Sequence, residues 1–408
     1  MKRIIPYKWE LVIWLWIAFF FNQADRQIFN VLLLDIQQDL GLDSAQMGLV
    51  GTFLLLINGL LLPIAGLLGD RISKKWVLVG ALLFWSTATM LTGLSAGLPA
   101  LILLRSIATG GGEAFYSPAA TKLISENHPE STRATALSVH QTALYIGFIA
   151  SGVVATSIAG LLGWRSAFYV FGAAGVVLAL ILSWRLRPDT MTLQAEPAGV
   201  LIKDGLKAFF SSPTALLLTL AVAGLQFAGQ AFLIWSPTYL QTNIGLSATR
   251  AAFDASFYPQ FAAIAGVMLG ARFSDTYVQK NRNARLWVQI AGFVCGAPFF
   301  YWVGEATTEV MVCIAMTGYG FFKGVYDSNI YASLYDTIDV RYRAMSTSFF
   351  LMFSLIIGSI SPYLLGVLEP TIGLSGGMKL MSLVFLLSAV PILAAVILRR
   401  KCNNEKCV

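Results

Sequence analysis

Apolar residues run in long blocks along the chain, with polar residues gathered in short stretches between them. A helix needs about 20 apolar residues to cross the hydrocarbon layer. Twelve blocks reach that scale, near 10–34, 45–68, 76–95, 98–123, 134–161, 166–186, 213–241, 249–273, 286–304, 307–335, 344–368 and 376–398. Most connections are short and built from turn formers, as in Ser95-Ala96-Gly97-Leu98-Pro99. One is longer, from Arg187 to Pro213, and holds Pro188, Asp189, Glu196, Pro197, Lys203 and Asp204. It reads as a cytoplasmic linker at 188–212 between six-helix bundles at 1–187 and 213–400, with a cytoplasmic tail at 401–408. The first block follows a basic start but exceeds the apolar core of a cleaved signal, so it reads as a retained span.

Composition narrows the class further. Of the 408 residues 57% are hydrophobic and 12% charged, where a soluble protein carries roughly 25% charged residues. This excludes a soluble enzyme, a disordered chain and a nucleic-acid binder. The formal charge of +7 is a topology signal. With both termini in the cytoplasm, 22 of the 28 Lys and Arg residues fall inside and only Arg165, Arg250 and Lys379 outside. Arg26, Arg105 and Lys323 fall within spans. Cysteines at 295, 313, 402 and 407 form no dense disulfide framework.

An internal repeat joins the halves. Gly110-Gly-Gly-Glu-Ala-Phe-Tyr116 corresponds to Gly320-Phe-Phe-Lys-Gly-Val-Tyr326, and the same offset carries Glu126 to Asp336, Arg133 to Arg343 and Ser138 to Ser348. Gly69-Asp70 corresponds to Ser274-Asp275 at a slightly shorter offset. Parallel repeats of this kind place a substrate path between the halves near the mid-membrane. The segment Gly66-Leu-Leu-Gly-Asp-Arg-Ile-Ser-Lys-Lys75 resembles the G-x-x-x-D-R-x-G-R-R signature of the major facilitator superfamily, with Ser73 where Gly is usual. A degraded copy spans Gly270 to Arg285. The resemblance implies an all-α major facilitator fold of twelve transmembrane helices in two pseudo-symmetric bundles. It gives Asp70, Arg71 and Asp275 the role of a cytoplasmic gate, held by helix-terminus and Arg contacts. It is silent on substrate.

A charged side chain within a span is costly unless paired or hydrated, so each needs a reason. Helix 1 carries Asn22, Gln23, Asp25, Arg26 and Asn30; helix 4 carries Arg105 and Glu113; helix 10 carries Lys323, Asp327 and Asn329. Two readings compete. The pairs Asp25–Arg26 and Lys323–Asp327 could be bracing salt bridges, the second at the favourable i, i+4 spacing. Alternatively the charges do transport chemistry. Arg is a fixed, planar anchor for a carboxylate. A poorly solvated carboxylate favours its neutral form unless a cation is near. Glu113, on a Gly-rich stretch, is then the leading proton carrier; Asp25 is second, because adjacent Arg26 favours its ionised form, and Asp327 is a third candidate. Tyr116, Gln141, Gln230, Tyr326 and Asn329 make a candidate lining of aromatic faces with hydroxyl and amide groups, which suits a sugar-like ligand.

Asp25-Arg26 together with Arg105 and Glu113 resembles the anion:cation symporter family, which includes sugar-acid carriers. In that family the Asp-Arg pair and the helix 4 Arg and Glu serve anion binding and proton coupling. Spinster-like lipid transporters share Asp-Arg in helix 1, Gly-Asp-Arg after helix 2 and G-x-G-E-A-x-Y-S in helix 4, here Gly110 to Ser117. Both families usually place the helix 4 Arg seven residues before the Glu, whereas Arg105 precedes Glu113 by eight. An added residue turns a helix by ~100°. Either Arg105 points elsewhere, or a helix distortion near Gly110–Gly112 absorbs the shift.

Other motifs carry less. Gly93 to Gly97 and Gly373 to Gly377 both match G-x-S-x-G, but lie in predicted outer loops, and the two histidines, His128 and His140, offer no evident catalytic base. No metal-ligand cluster or phosphate-binding loop is visible. The sequence thus predicts a secondary transporter rather than an enzyme, without cofactor, monomeric, in a bacterial inner membrane. Its expected partners are a small organic anion such as a hexuronate, a proton (or sodium) and the bilayer. The alternatives are a lipid or amphiphile exporter and a proton-coupled carrier of a neutral sugar.

Overall fold

Hydrocarbon offers no water to satisfy backbone N–H and C=O groups, so each spanning segment must close its own hydrogen bonds. The computed structural model describes the backbone of residues 6–187 and 198–405; the side chains of 66–71, 134, 198–202, 344 and 401–405 are outside that description. Residues 188–197 of the expected linker, the tail beyond 405, and the expected gate at Asp70 and Arg71 therefore lie outside the described residues. Among those described there are helices and no strand.

The helices form twelve long stretches. They begin with α1 (Tyr7–Val31), α2 (Ser44–Arg71) and α3 (Lys74–Thr92). Next, α4 is divided into Leu98–Leu101, Ile102–Thr109, Gly110–Glu113 and Tyr116–Asn127. It is followed by α5 (Glu130–Leu162), α6 (Trp164–Arg185), α7 (Pro213–Thr242), α8 (Ala248–Val278) and α9 (Ala284–Glu305). Then α10 (Glu309–Asp327) resumes as Ile330–Tyr335, and α11 starts at Arg343–Gly358. The element Ser361–Leu387 is two helices meeting at Gly373, whose φ of +67° only glycine adopts readily; the first completes α11 and the second opens α12, which continues as Ala389–Glu405. The expected linker also contains a helix, Ala198–Phe210. Ser212 and Thr308 cap α7 and α10, accepting from the N–H groups of Ala215 and Met311.

Among the described residues, seven stretches are apolar and long enough to cross a membrane on length and composition alone. Those that fall short include α1, which holds Asp25 and Arg26, and the interrupted α4 and α10. Leu83, Leu180, Phe261, Met268, Val294 and Leu387 are all exposed, a surface that suits lipid and not water.

The chain divides into two compact units, residues 1–195 with 247–253, and 196–246 with 254–408. Each contains the same internal contacts. In the first, Lys74 pairs with Glu126 at 3.2 Å, and Arg133 Nε donates to the Ser125 carbonyl at 3.2 Å. In the second, Arg285 pairs with Asp336 at 2.9 Å, and Arg343 Nη2 donates to the Tyr335 carbonyl at 3.0 Å. The offset that relates Glu126 to Asp336 also relates Ser125 to Tyr335. Helix packing repeats too. A Cβ on Gly110 would stand 2.9 Å from the Leu54 carbonyl oxygen, and one on Gly320 would stand 2.2 Å from that of Pro259.

The central part of α4 departs from α geometry. Ile102–Thr109 is a π-helix, in which i→i+5 bonds accommodate one extra residue. Side chains satisfy the disturbed backbone. Thr109 Oγ1 donates to the Leu104 carbonyl at 2.9 Å, and Asn58 Nδ2 donates to that of Gly110 at 3.3 Å. Ser106 Oγ ties the segment to the Val50 carbonyl of α2 at 2.7 Å.

Two outcomes are expected. Gly320→Ala should lower the melting temperature of detergent-purified protein by several degrees, since overpacking costs about 1–3 kcal/mol. Gly111→Ala, whose Cβ meets its nearest neighbour at 3.6 Å, should not; equal effects would contradict the close α8–α10 contact. Deleting Ile107, an exposed residue of the π-segment, should leave a folded protein with regular α geometry. Deleting exposed Leu180 from α6 rotates the following turn by ~100° and should abolish the monodisperse peak in size-exclusion chromatography. Loss of folding in both would show that the bulge has no slack.

Candidate functional site

Helix α1 buries an unusual run of polar groups: Asn22, Gln23, Asp25, Gln27 and Asn30. Four of them are bonded locally in two pairs, Gln23 Nε2 to Asn22 Oδ1 at 2.8 Å and Asn30 Nδ2 to Gln27 Oε1 at 3.3 Å. Facing this run, α4 contributes Arg105 and Glu113, both buried. The extra residue between them is taken up by the π-segment, and both side chains reach Arg26. Arg26 Nε donates to Glu113 Oε2 at 2.7 Å, and Arg105 Nη2 makes a longer contact, 3.4 Å, to the Arg26 carbonyl. The Arg105 guanidinium also lies 5.5 Å from the Phe29 ring centre, within the range of a cation–π contact.

Accessibility separates the four charges. The Arg26 side chain is 26% exposed and that of Glu113 fully buried; Asp25 and Arg105 are buried as well. Arg26 is thus the member of the cluster with appreciable accessible surface. Several buried polar atoms have no hydrogen-bond partner among the described residues: Asp25 Oδ1, Glu113 Oε1, and Nε and Nη1 of Arg105. Trp85 and Thr89 of α3 lie beside the Asp25 carboxyl, yet Trp85 Nε1 and Thr89 Oγ1 close no hydrogen bond of ordinary geometry. Unsatisfied groups at this density are rare in a folded interior.

The geometry corrects one expectation. Arg26 bonds Glu113 and not its neighbour Asp25, because adjacent side chains diverge by ~100° around a helix. The carboxylate held by a cation is therefore Glu113, and Asp25 has no ion-pair partner among the described residues. The cation that sequence places beside Asp25 is thus bonded to Glu113 instead.

Other predicted positions are placed differently. Tyr116 is packed in the core of the first unit; its hydroxyl donates to the Leu15 carbonyl at 2.5 Å and accepts from His140 Nε2 at 3.0 Å. Gln141 is exposed on α5. In the second unit, Gln230 is half-buried on α7, Tyr326 is buried against Phe293, and Asn329 donates to Ser328 Oγ at 2.8 Å. Lys323 and Asp327 pair with each other at 2.5 Å on one face of α10. Asp275 is mostly exposed and 3.9 Å from Arg285. Sequence reasoning missed Trp85 and Thr89, because a Trp and a Thr in an apolar run read as packing. No group of three or more His, Cys, Asp or Glu that could hold a metal occurs among the described residues.

Comparison with known proteins accords with this architecture. The chain is 26% identical over 382 residues to an MFS-type efflux pump of Mycolicibacterium smegmatis, covering 92% of this chain and 88% of that protein. It is 28% identical over 404 residues to a probable galactarate/D-glucarate transporter of Bacillus subtilis, covering 91% and 87%. Among solved structures, a bacterial homologue of the human lysosomal transporter Spinster, inward-facing and occupied, superposes with a TM-score of 0.81 at 20% identity, over 96% of this chain and 97% of that one; at this identity the likeness concerns the fold. The family model of the Major Facilitator Superfamily matches residues 15–362. With a multi-pass helical membrane fold and a match over most of its length, the chain belongs to the Major Facilitator Superfamily of transporters.

Proposed function

We propose that this transporter carries a small organic anion, a sugar acid, together with a proton. One observation carries the reading: Arg26 is the only partly exposed member of an otherwise buried four-charge cluster, and its bond to Glu113 leaves other guanidinium N–H groups available. A substrate carboxylate can take a bidentate hold there. It then competes with Glu113 for Arg26. A buried carboxylate stripped of its cation is strongly unfavourable, so Glu113 takes up a proton as the anion arrives. Asp25, without an ion-pair partner, is the second acceptor, and Arg105 holds the balance of charge from behind.

The similarity to a probable galactarate/D-glucarate transporter supports an acidic sugar as cargo. On the distribution of Lys and Arg, we place both termini in the cytoplasm of a bacterial cell and the spans in its inner membrane. A second reading is an amphiphile exporter of the Spinster kind, favoured by the shared fold and by the run Gly110 to Ser117. The two differ in their need for a carboxylate. On the second reading a lysolipid, not a sugar acid, is the ligand.

In a thermal-shift screen, hexuronates and aldarates should stabilise the purified protein while neutral sugars and lysolipids do not. Arg26→Lys should weaken that binding about tenfold or more, the loss of a charge-assisted bidentate contact. Stabilisation by lysolipids alone, or unchanged affinity in Arg26→Lys, would remove Arg26 from an anion site. In proteoliposomes, Glu113→Gln should abolish uptake driven by a proton gradient but preserve exchange of substrate for substrate. Equal loss of both activities would make Glu113 a binding or bracing residue.

A further inference from the structure

Each unit carries an apolar groove on its lipid-facing surface, and the two grooves are related by the internal repeat. The groove in the second unit, between α8 and α9, has a volume of about 470 Å³ and is lined by Leu269, Phe273, Tyr277, Trp287 and Val325 among others. The groove in the first unit, between α2 and α3, has about 530 Å³ and is lined by Ile72, Trp76 and Phe115. Ile72 corresponds to Tyr277 and Phe115 to Val325 at the offsets already seen, and Trp76 corresponds to Trp287 at an offset one residue longer. Both are large enough for a lipid-sized ligand. Both bear an exposed Trp near a cationic loop, the signature of the membrane–water interface.

Their rims differ. In the first unit the described rim cations are engaged. Lys74 is buried against Glu126, and Lys75 is buried with its Nζ 5.0 Å from the Trp76 ring. In the second unit the cations are in surplus. Lys280 and Arg282 are exposed in the α8–α9 turn, and the exposed Arg400 places its guanidinium 6.0 Å from the Trp287 ring. Arg285 pairs with Asp336, and Arg399 lies in the field of Asp336 and in the opposing fields of Arg282 and Arg285. The described carboxylates beside these five cations are Asp336 and the mostly exposed Asp275. Excess positive charge above an apolar groove, with an aromatic residue between them, matches the two ends of one molecule.

We propose that the α8–α9 groove binds an anionic phospholipid of the surrounding leaflet, with acyl chain along Leu269, Phe273 and Val325 and the phosphate headgroup on Arg282 and Arg400. The first unit's groove takes lipid without preference for headgroup charge. On the orientation proposed above the leaflet is the cytoplasmic one, where anionic lipid is available. The assignment is independent of which solute is transported.

Native mass spectrometry of the full-length protein, titrated with phosphatidylglycerol or phosphatidylcholine of the same acyl chains, tests this. The wild type should bind phosphatidylglycerol more tightly. Arg282→Gln with Arg400→Gln should weaken phosphatidylglycerol by about fivefold per cation removed and leave phosphatidylcholine unchanged. Trp287→Ala, with the cations intact, should weaken both lipids. Lys203→Gln with Lys207→Gln makes the same change in net charge away from the groove and should leave both affinities alone. Equal affinity of the wild type for the two lipids, or equal losses in the two double variants, would overturn the proposal. So would thermal stabilisation by inorganic phosphate matching that by phosphatidylglycerol, which would describe an anion site with no acyl component.

Discussion

Two positive and two negative side chains share the interior of the first unit, and the Arg26–Glu113 ion pair is the bond that holds the set together. Removing one partner leaves the other charge uncompensated, most severely the fully buried Glu113 carboxylate. The remaining charges lie around this pair. Arg105 lies behind Arg26 and contacts its carbonyl; Asp25 faces away toward Trp85 and Thr89. With all four groups ionised such a cluster is neutral in sum, but it is not saturated in hydrogen bonds, since four of its polar atoms are unpartnered among the described residues. A set that is balanced yet incomplete can exchange one member for a ligand group without leaving net charge in the membrane. A fully bonded network would resist that exchange.

The second unit handles the equivalent position in another way. The repeat maps Glu113 onto Lys323. This inverts the charge, and Lys323 is answered four residues along its own helix by Asp327. One half carries an ion pair that links two helices, and the other carries one contained within a single helix. Substituting a partner in the first alters how α1 and α4 meet, whereas the second can break and re-form with α10 unmoved.

Most of the architecture was legible because hydrocarbon imposes a length on each helix. Block lengths, turn residues and repeat offsets led to the helices, and the contacts of Arg133 and Arg343 follow the offset to the residue. The break at Gly373 was legible too, since it falls in the loop expected between the last two spans; the division of α10 after Asp327 was not. Within the site, the identities of the charges were legible and their partners were not. Pairing depends on the direction of side chains around two helices, and a single π-segment changes that direction. Asp25 beside Arg26 in sequence suggested a pair; around the helix they part. Tyr116 looked like lining but is core, because its hydroxyl is used by Leu15 and His140.

The π-segment at Ile102–Thr109 also bears on how this chain is read against its relatives. A one-residue insertion in a membrane helix ordinarily swings everything beyond it toward the wrong neighbours, so such insertions are selected against. Here i→i+5 bonding confines the disturbance to eight residues, and the helix on either side keeps its facing. An insertion of this kind leaves its trace in the pairing of homologous positions. Aligned without a gap between Arg105 and Glu113, this chain would match either Arg105 or Glu113 to the wrong residue of a protein with the shorter spacing. Placing that gap decides whether a role established in a relative is transferred to the anchor, to the acid, or to an apolar neighbour of each.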